Sequence, residues 1–226
     1  MSRKTKKSDE GKFWTLRGSK SKSYKKPTFS IDKTFLIVCE GKNTEPRYFE
    51  SFPVVTADIK TEGGLGSRTA LVKAALKLRQ NEEYHGSETW CVFDYDHKPD
   101  NLTIESDFNE AVALATSKGI KVAFSNDSFE LWFILHYRYH DTQVTRDEFY
   151  KSLRDIWELE ESYEELGKKR DFCTNLYALL LPTQKTAIEN ARKLYDSQND
   201  GRPVAKLNPC TTVFLLVEEL NRFLKK

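Results

Sequence analysis

Short apolar runs alternate with longer stretches of helical periodicity along residues 34–125. The run at 34–39, with Phe35, Leu36, Ile37 and Val38 in succession, predicts a strand covered on both faces. Thr44 is placed to cap a helix that takes in Arg47, Tyr48 and Phe49, with Pro46 in its first turn. A weaker strand is expected at 54–61, then a turn at Gly63, Gly64 and Gly66. Ser67 can cap a helix over 69–83, where Leu71, Ala74, Ala75 and Leu78 fall at helical spacing. The segment 89–93 is a third strand. A helix over 108–117 stops at Gly119, and 121–125 is a fourth strand. An aromatic-rich helix follows at 129–137, and beyond residue 141 the pattern is helical throughout, at 145–165, 171–181, 183–197 and 211–224.

Strand-helix alternation of this kind predicts an α/β fold with a parallel, doubly wound sheet and helices on both faces. Three regions follow: an N-terminal arm over 1–29, an α/β core over 30–140, and a helical extension over 141–226 that packs on the core. Right-handed crossovers bring successive strand C-termini to one edge of the sheet.

Charged residues make up 31% of the chain and hydrophobic ones 38%, which fits a soluble globular protein. No apolar run reaches the roughly 20 residues that span a bilayer. No apolar core follows the N-terminal charges, so secretion is not expected. The scattered Cys39, Cys91, Cys173 and Cys210 form no CxxC pair, which fits reduced thiols and a cytoplasmic location. The overall charge of +2 hides an asymmetry. Residues 1–26 hold ten Lys/Arg against Asp9 and Glu10, a net +8, and the rest of the chain is therefore at −6. Such an arm cannot bury enough surface to fold alone. Its charges, Lys25 and Lys26 among them, can neutralise phosphates, while Phe13, Trp14 and Tyr24 can stack on bases.

Acidic residues end two of the strands. Glu40 follows the first, and Asp94 and Asp96 close the third. Ligands of open α/β sheets bind outside the strand carboxyl ends, where strand order reverses. If the two strands are neighbours about 4.8 Å apart, one Mg²⁺ can be shared between them. In extended chain Asp94 and Asp96 point to one side and Tyr95 to the other. Carboxylates gathered without a basic partner suit a hard divalent cation and phosphodiester chemistry.

The residues around these acids resemble the RloB-type branch of the Toprim family. The resemblance rests on Cys39, Glu40 and Gly41 followed by Thr44, Glu45, Pro46 and the aromatic pair Tyr48 and Phe49. It continues through Asp94 and Asp96, then Ser125, Asn126, Asp127, Ser128, Phe129, Glu130, Leu131 and Trp132 with His136 beyond, and ends at Asn208, Pro209, Cys210, Thr211, Thr212 and Val213. Cys210 stands where Ser is usual, and the 166–172 stretch departs from the family pattern. The resemblance covers about residues 30–224 and implies a Toprim-like, Rossmannoid sheet. It implies Glu40 as general acid or base, Asp94 and Asp96 as holders of Mg²⁺ or Mn²⁺, and a nuclease acting in phage defence alongside an ATPase partner.

Glu130, near the same edge, is a further candidate ligand, although a first-turn acid also complements the helix dipole. His136 and His97 are candidates to bond or protonate near a phosphate. Lys42, Arg68, Lys168 and Lys169 are candidate phosphate contacts. The expected function is metal-dependent cleavage of DNA or RNA, with tRNA conceivable. The rival is a non-catalytic nucleic-acid-binding subunit governed by an ATPase. A topoisomerase or primase is disfavoured, since no appended domain is large enough for a strand-passage tyrosine or a primer-template grip. The residues do not fix the oligomeric state, and a homo-oligomer stays open.

Overall fold

Phe35–Cys39 (β1) is buried at every position, as a central strand with helices on both faces must be. In the computed structural model, which describes residues 33–54, 56–61, 67–97 and 103–225, β1 lies inside a sheet. The other strands are Ala57–Thr61 (β2), Glu88–Asp94 (β3), Lys121–Asn126 (β4) and Cys210–Thr211 (β5). Their order is β2-β1-β3-β4-β5, parallel except for β5. The fold is α/β and Rossmann-like. The described residues all fall within the unit Asp32–Lys226. The basic arm over 1–29, with Lys25 and Lys26, and the Gly63, Gly64 and Gly66 turn lie outside the described residues.

Alternating side chains divide the core between the two faces. Leu36 and Val38 of β1, with Cys91 and Phe93 of β3, pack against Arg68–Leu78 (α2) and Ile104–Ser117 (α3) through Leu71, Val72, Phe108 and Ala111. Ile37 and Cys39, with Trp90 and Val92, face a larger core. It is built by Thr44–Glu50 (α1), Glu130–Leu135 (α4), Arg146–Ile156 (α5), Tyr163–Leu166 (α6), Arg170–Leu180 (α7), Gln184–Gln198 (α8) and Val213–Asn221 (α9). Tyr48 lies at the centre of an aromatic cluster, edge-on to Phe129 at 6.0 Å and to Phe133 at 5.7 Å. Its hydroxyl accepts from Trp132 Nε1 at 3.0 Å. Each such buried ring stabilises the fold by roughly 1.5–3 kcal/mol. The cluster also joins α1 to α4, the helices that carry Glu45 and Glu130.

Local signals account for several boundaries. Ser67 caps α2 by accepting from the Ala70 amide at 3.1 Å. Gly119, at φ +66°, ends α3 in a left-handed conformation that only glycine adopts freely. Elsewhere tertiary contacts override the sequence pattern. Thr44 does not cap α1, because its hydroxyl donates instead to the Gly167 carbonyl at 3.2 Å. The helix expected over 145–165 breaks into α5 and α6. Glu158 turns left-handed at φ 50°, Ser162 caps α6, and Trp157 fits among Phe133, Tyr163 and Phe172. The start of the helix expected over 211–224 is instead strand β5, antiparallel to β4. Thr212 completes that junction: its hydroxyl accepts from the Phe124 amide and its own amide donates to the Phe124 carbonyl.

Candidate acidic site at the sheet edge

The chain goes from β1 to β2 on one side and then returns to place β3 on the other, so strand order reverses between β1 and β3. Glu40 and Asp94 stand at this switch point, the position that open α/β sheets use for ligands. Cys39 is in register with Val92, and the Glu40 amide donates to the Val92 carbonyl at 2.9 Å. Glu40 is thus level with Phe93, one residue short of Asp94.

Because side chains alternate, that one-residue offset sends the two carboxylates to opposite faces of the sheet rim. Glu40 continues the Leu36 and Val38 face, toward α2 and α3. Asp94 continues the Trp90 and Val92 face, toward α1, α4 and α5. Their strongest charged neighbours differ accordingly, although Glu40 is still near enough to act on Glu45. Burial raises the pKa of Glu40, while Arg68 and the Asp94 main chain oppose the rise. Burial, and then the Glu45 carboxylate, push Asp94 well above the usual carboxylate range, against the pull of Arg146.

Arg68 is not free to meet a phosphate. It is 8% exposed, its Nε donates to the Asp94 carbonyl and its Nη2 to the Tyr95 carbonyl, each at 2.9 Å. Its amide donates to Asp107 Oδ2 at 2.8 Å. This guanidinium fixes the end of β3. Beyond Asp94 the chain leaves the strand: Tyr95 turns onto Phe108, and Asp96 adopts φ 48°. The Tyr95 amide donates to the Ser125 carbonyl and the Asp96 amide to the Asp127 carbonyl. Asp127 Oδ1 accepts from the His97 amide at 2.6 Å. The two sequence segments at 94–97 and 125–127 are therefore one hydrogen-bonded unit.

The expectation of acids without a basic partner is overturned by Arg146. From the first position of α5 its Nη2 reaches Asp94 Oδ2 at 3.3 Å and its Nη1 reaches Asp96 Oδ1 at 3.0 Å. A capping box of Thr145 and Glu148 fixes that helix start, with the Thr145 amide donating to Glu148 Oε2 at 2.8 Å. Asp94 Oδ2 also accepts from the Phe129 amide at 3.0 Å. Asp94 Oδ1 and Arg146 Nε are both buried without a hydrogen-bond partner.

Glu45 is the residue that sequence reasoning missed. It is half-buried in the first turn of α1, and burial, with Glu130 and Glu40 adding, raises its pKa to about 7. A methyl group at Gly41 would meet its carboxylate and force the flexible end of that side chain to shift. The signal was present in the Thr44, Glu45, Pro46 motif, where Glu45 reads as an ordinary helix-start acid. A cavity of about 340 Å³ opens over Glu45, Glu130 and Arg146, with Lys42, Tyr150 and Lys168 in its lining. Glu130 is 6% exposed. Lys168, paired with Glu164 at 3.0 Å, joins Lys42 at this cavity, and Lys169 is turned to Glu161.

His136 is not at this edge. It closes α4, six residues from Glu130 and thus about 9 Å along the helix. Its ring lies edge-on to Trp132 and its Nδ1 meets Thr183 Oγ1 at 3.0 Å. Burial depresses its pKa to about 3, so it stays neutral at physiological pH.

Among the described residues no three His, Cys, Asp or Glu side chains converge tightly enough to hold a metal ion. The donor chemistry nevertheless fits a divalent cation. Asp94 keeps a buried oxygen without a partner, and Asp94, Glu45 and Glu130 sit where each charge opposes its neighbours. The room between Asp94 and Asp96 is taken by the Arg146 guanidinium.

Among the described residues no helix is long and apolar enough to cross a membrane. No curated protein and no solved structure matches the chain. The family model of RloB-like proteins matches residues 35–220. The chain, with its acidic strand ends at the switch point of an α/β sheet, belongs to the RloB-like protein family.

Proposed function

We propose that this chain is a Toprim-type, Mg²⁺- or Mn²⁺-dependent nuclease that cleaves phosphodiester bonds of DNA or RNA. The observation that carries the reading is the set of buried or half-buried carboxylates, Glu40, Glu45, Asp94 and Glu130, at the switch-point edge of the sheet. A divalent cation there would polarise a phosphate and lower the pKa of a bound water. Asp94, through its unpartnered oxygen, with Glu45 and Glu130 beside it, would hold it once these side chains draw together, and Asp96 would join from the turn beyond β3 when Arg146 gives way. Glu40, on the other face, exchanges a proton with the attacking water or the leaving oxygen; its raised pKa suits that task. Lys42 and Lys168 flank the cavity mouth and attract the phosphate backbone.

The family resemblance adds a cytoplasmic role as the effector of an antiphage system, with an ATPase partner controlling it. Arg146 favours one rival: a guanidinium seated on Asp94 and Asp96 is also what a non-catalytic nucleic-acid-binding subunit would keep. The purified chain should therefore be incubated with plasmid, single-stranded DNA and total tRNA, each in Mg²⁺, Mn²⁺ or EDTA. Metal-dependent cleavage that disappears in Glu40→Gln and in Asp94→Asn is expected. No cleavage under any condition, with or without the ATPase, would favour the binding subunit.

A further inference from the structure

We infer that Arg146 is a resident counter-cation of the acidic site and competes directly with the divalent cation for it. The inference rests on the metal reading above, but its test needs no turnover.

The geometry around Arg146 is that of a placeholder. A guanidinium matched to a carboxylate makes two parallel hydrogen bonds to its two oxygens. Arg146 instead gives one nitrogen to Asp94 and another to Asp96, at 3.3 and 3.0 Å. Nε has no partner, and the second oxygen of Asp94, a residue 8% exposed, has none either. Two buried polar atoms are thus left unsatisfied next to each other's chains, a costly arrangement that a better-fitting ligand would relieve.

A metal ion and this guanidinium cannot share the site. Mg²⁺ sits about 2.1 Å from its oxygen ligands. An ion on the Asp94 and Asp96 carboxylates would therefore lie against the Arg146 nitrogens, charge against like charge. Either the ion is excluded or the arginine leaves.

Arg146 has somewhere to go. It borders the cavity over Glu45 and Glu130 and also a second one of about 470 Å³ lined by Asp96, His97, Asp127, Gln143 and Asn208. Either space would receive its head once an ion displaced it from the carboxylates. Its helix start can stay fixed, since the Thr145 and Glu148 capping box does not involve the Arg146 side chain. Metal affinity is thereby set by a side chain from α5, about fifty residues downstream of the acids it neutralises.

The test is Mn²⁺ binding at pH 8 to the full chain, read by electron paramagnetic resonance of free Mn²⁺, with thermal unfolding in EDTA and in Mn²⁺. Arg146→Gln removes the charge while keeping hydrogen-bonding capacity. It should bind Mn²⁺ at least tenfold more tightly than the unsubstituted protein, melt lower in EDTA, and gain more in melting temperature from Mn²⁺. Arg146→Lys keeps a charge but not the bridging fork, and should fall between the two. Equal or weaker Mn²⁺ binding in Arg146→Gln, or a melting loss that Mn²⁺ does not restore, would overturn the inference. If Arg146→Gln does not fold, Arg146→Lys decides: tighter binding supports the inference, and unchanged or weaker binding overturns it. Tighter binding without any cleavage, with or without the ATPase, would sink the nuclease reading and leave this one standing. Metal-dependent cleavage with unchanged affinity would do the reverse.

Discussion

Replacing Glu45 with Gln should make the metal-free protein more stable, although it removes a residue of the acidic site. The Glu45 carboxyl titrates near 7 rather than at the usual 4.5, chiefly through burial, with Glu130 and Glu40 adding to it. One pKa unit corresponds to about 1.4 kcal/mol, so full ionisation costs at most roughly 3–4 kcal/mol in the folded state. Solvent access at this half-buried residue screens the cost, and about 1–2 kcal/mol is expected. The sign follows from the protons bound. Between pH 4.5 and 7 the unfolded chain has lost the Glu45 proton while the folded chain keeps it, so this contribution falls as pH rises and is gone above about 7. Glu45→Gln, which cannot ionise, should equal the unsubstituted protein near pH 4.5 and exceed it at pH 8. For a domain of this size the gain is about 2–8 °C in melting temperature. Thermal unfolding in EDTA at pH 4.5, 6, 7 and 8 measures it directly. A variant that is less stable at pH 8, or whose advantage does not change with pH, would refute the reasoning. The same substitution should remove cleavage, the stability-for-activity exchange expected of a charged site held in low dielectric.

Gly41→Ala should reproduce the functional loss without the gain in stability, since its methyl group pushes the flexible end of Glu45 aside. In a double-mutant cycle with Glu45→Gln, the added effect of Gly41→Ala on Mn²⁺ binding should vanish, and full additivity would show that Gly41 acts elsewhere. His136 stays neutral in the fold down to about pH 3, whereas the unfolded chain protonates near 6.5, so stability falls as pH drops below 6.5. At pH 5 that loss is about 2 kcal/mol, and urea titrations of His136→Gln at pH 7.5 and 5 should show a flatter acid limb; parallel limbs would contradict the burial argument. Arg68→Lys breaks the forked bonds to the Asp94 and Tyr95 carbonyls and should cost about 2–3 kcal/mol in urea unfolding. An unchanged midpoint with weaker nucleic-acid binding would instead return Arg68 to a phosphate-contact role.

Much of the framework was legible in the chain because it depends on local pattern. The continuous apolar run of β1, the helical spacing of Leu71, Ala75 and Leu78, the Ser67 cap and the Gly119 stop are each set by neighbours within one turn or strand. The acidic strand ends could be placed at one edge because right-handed crossovers leave no other choice. The sequence segments at 125–132 and 208–213 were legible as motifs of the family resemblance, with Glu130 a candidate ligand, but not as one structural unit. Their meaning is the β4–β5 pairing, where Ser125 meets Thr211 and Thr212 completes the junction.

What the chain by itself determined is thus an α/β sheet with carboxylates at its switch point. Only the tertiary structure decided how those carboxylates stand to one another and to their counter-ion. A one-residue offset in the β1–β3 register puts Glu40 and Asp94 on opposite faces, and register comes from packing across strands. Glu45 became a site residue because the Tyr48 cluster holds α1 against α4, next to Glu130. Arg146 reaches Asp94 from a helix about fifty residues later, and an ion pair at that separation leaves no trace in local periodicity. Strand and helix form from short-range preferences, whereas charge neutralisation at a buried edge depends on which distant helix the core brings over it.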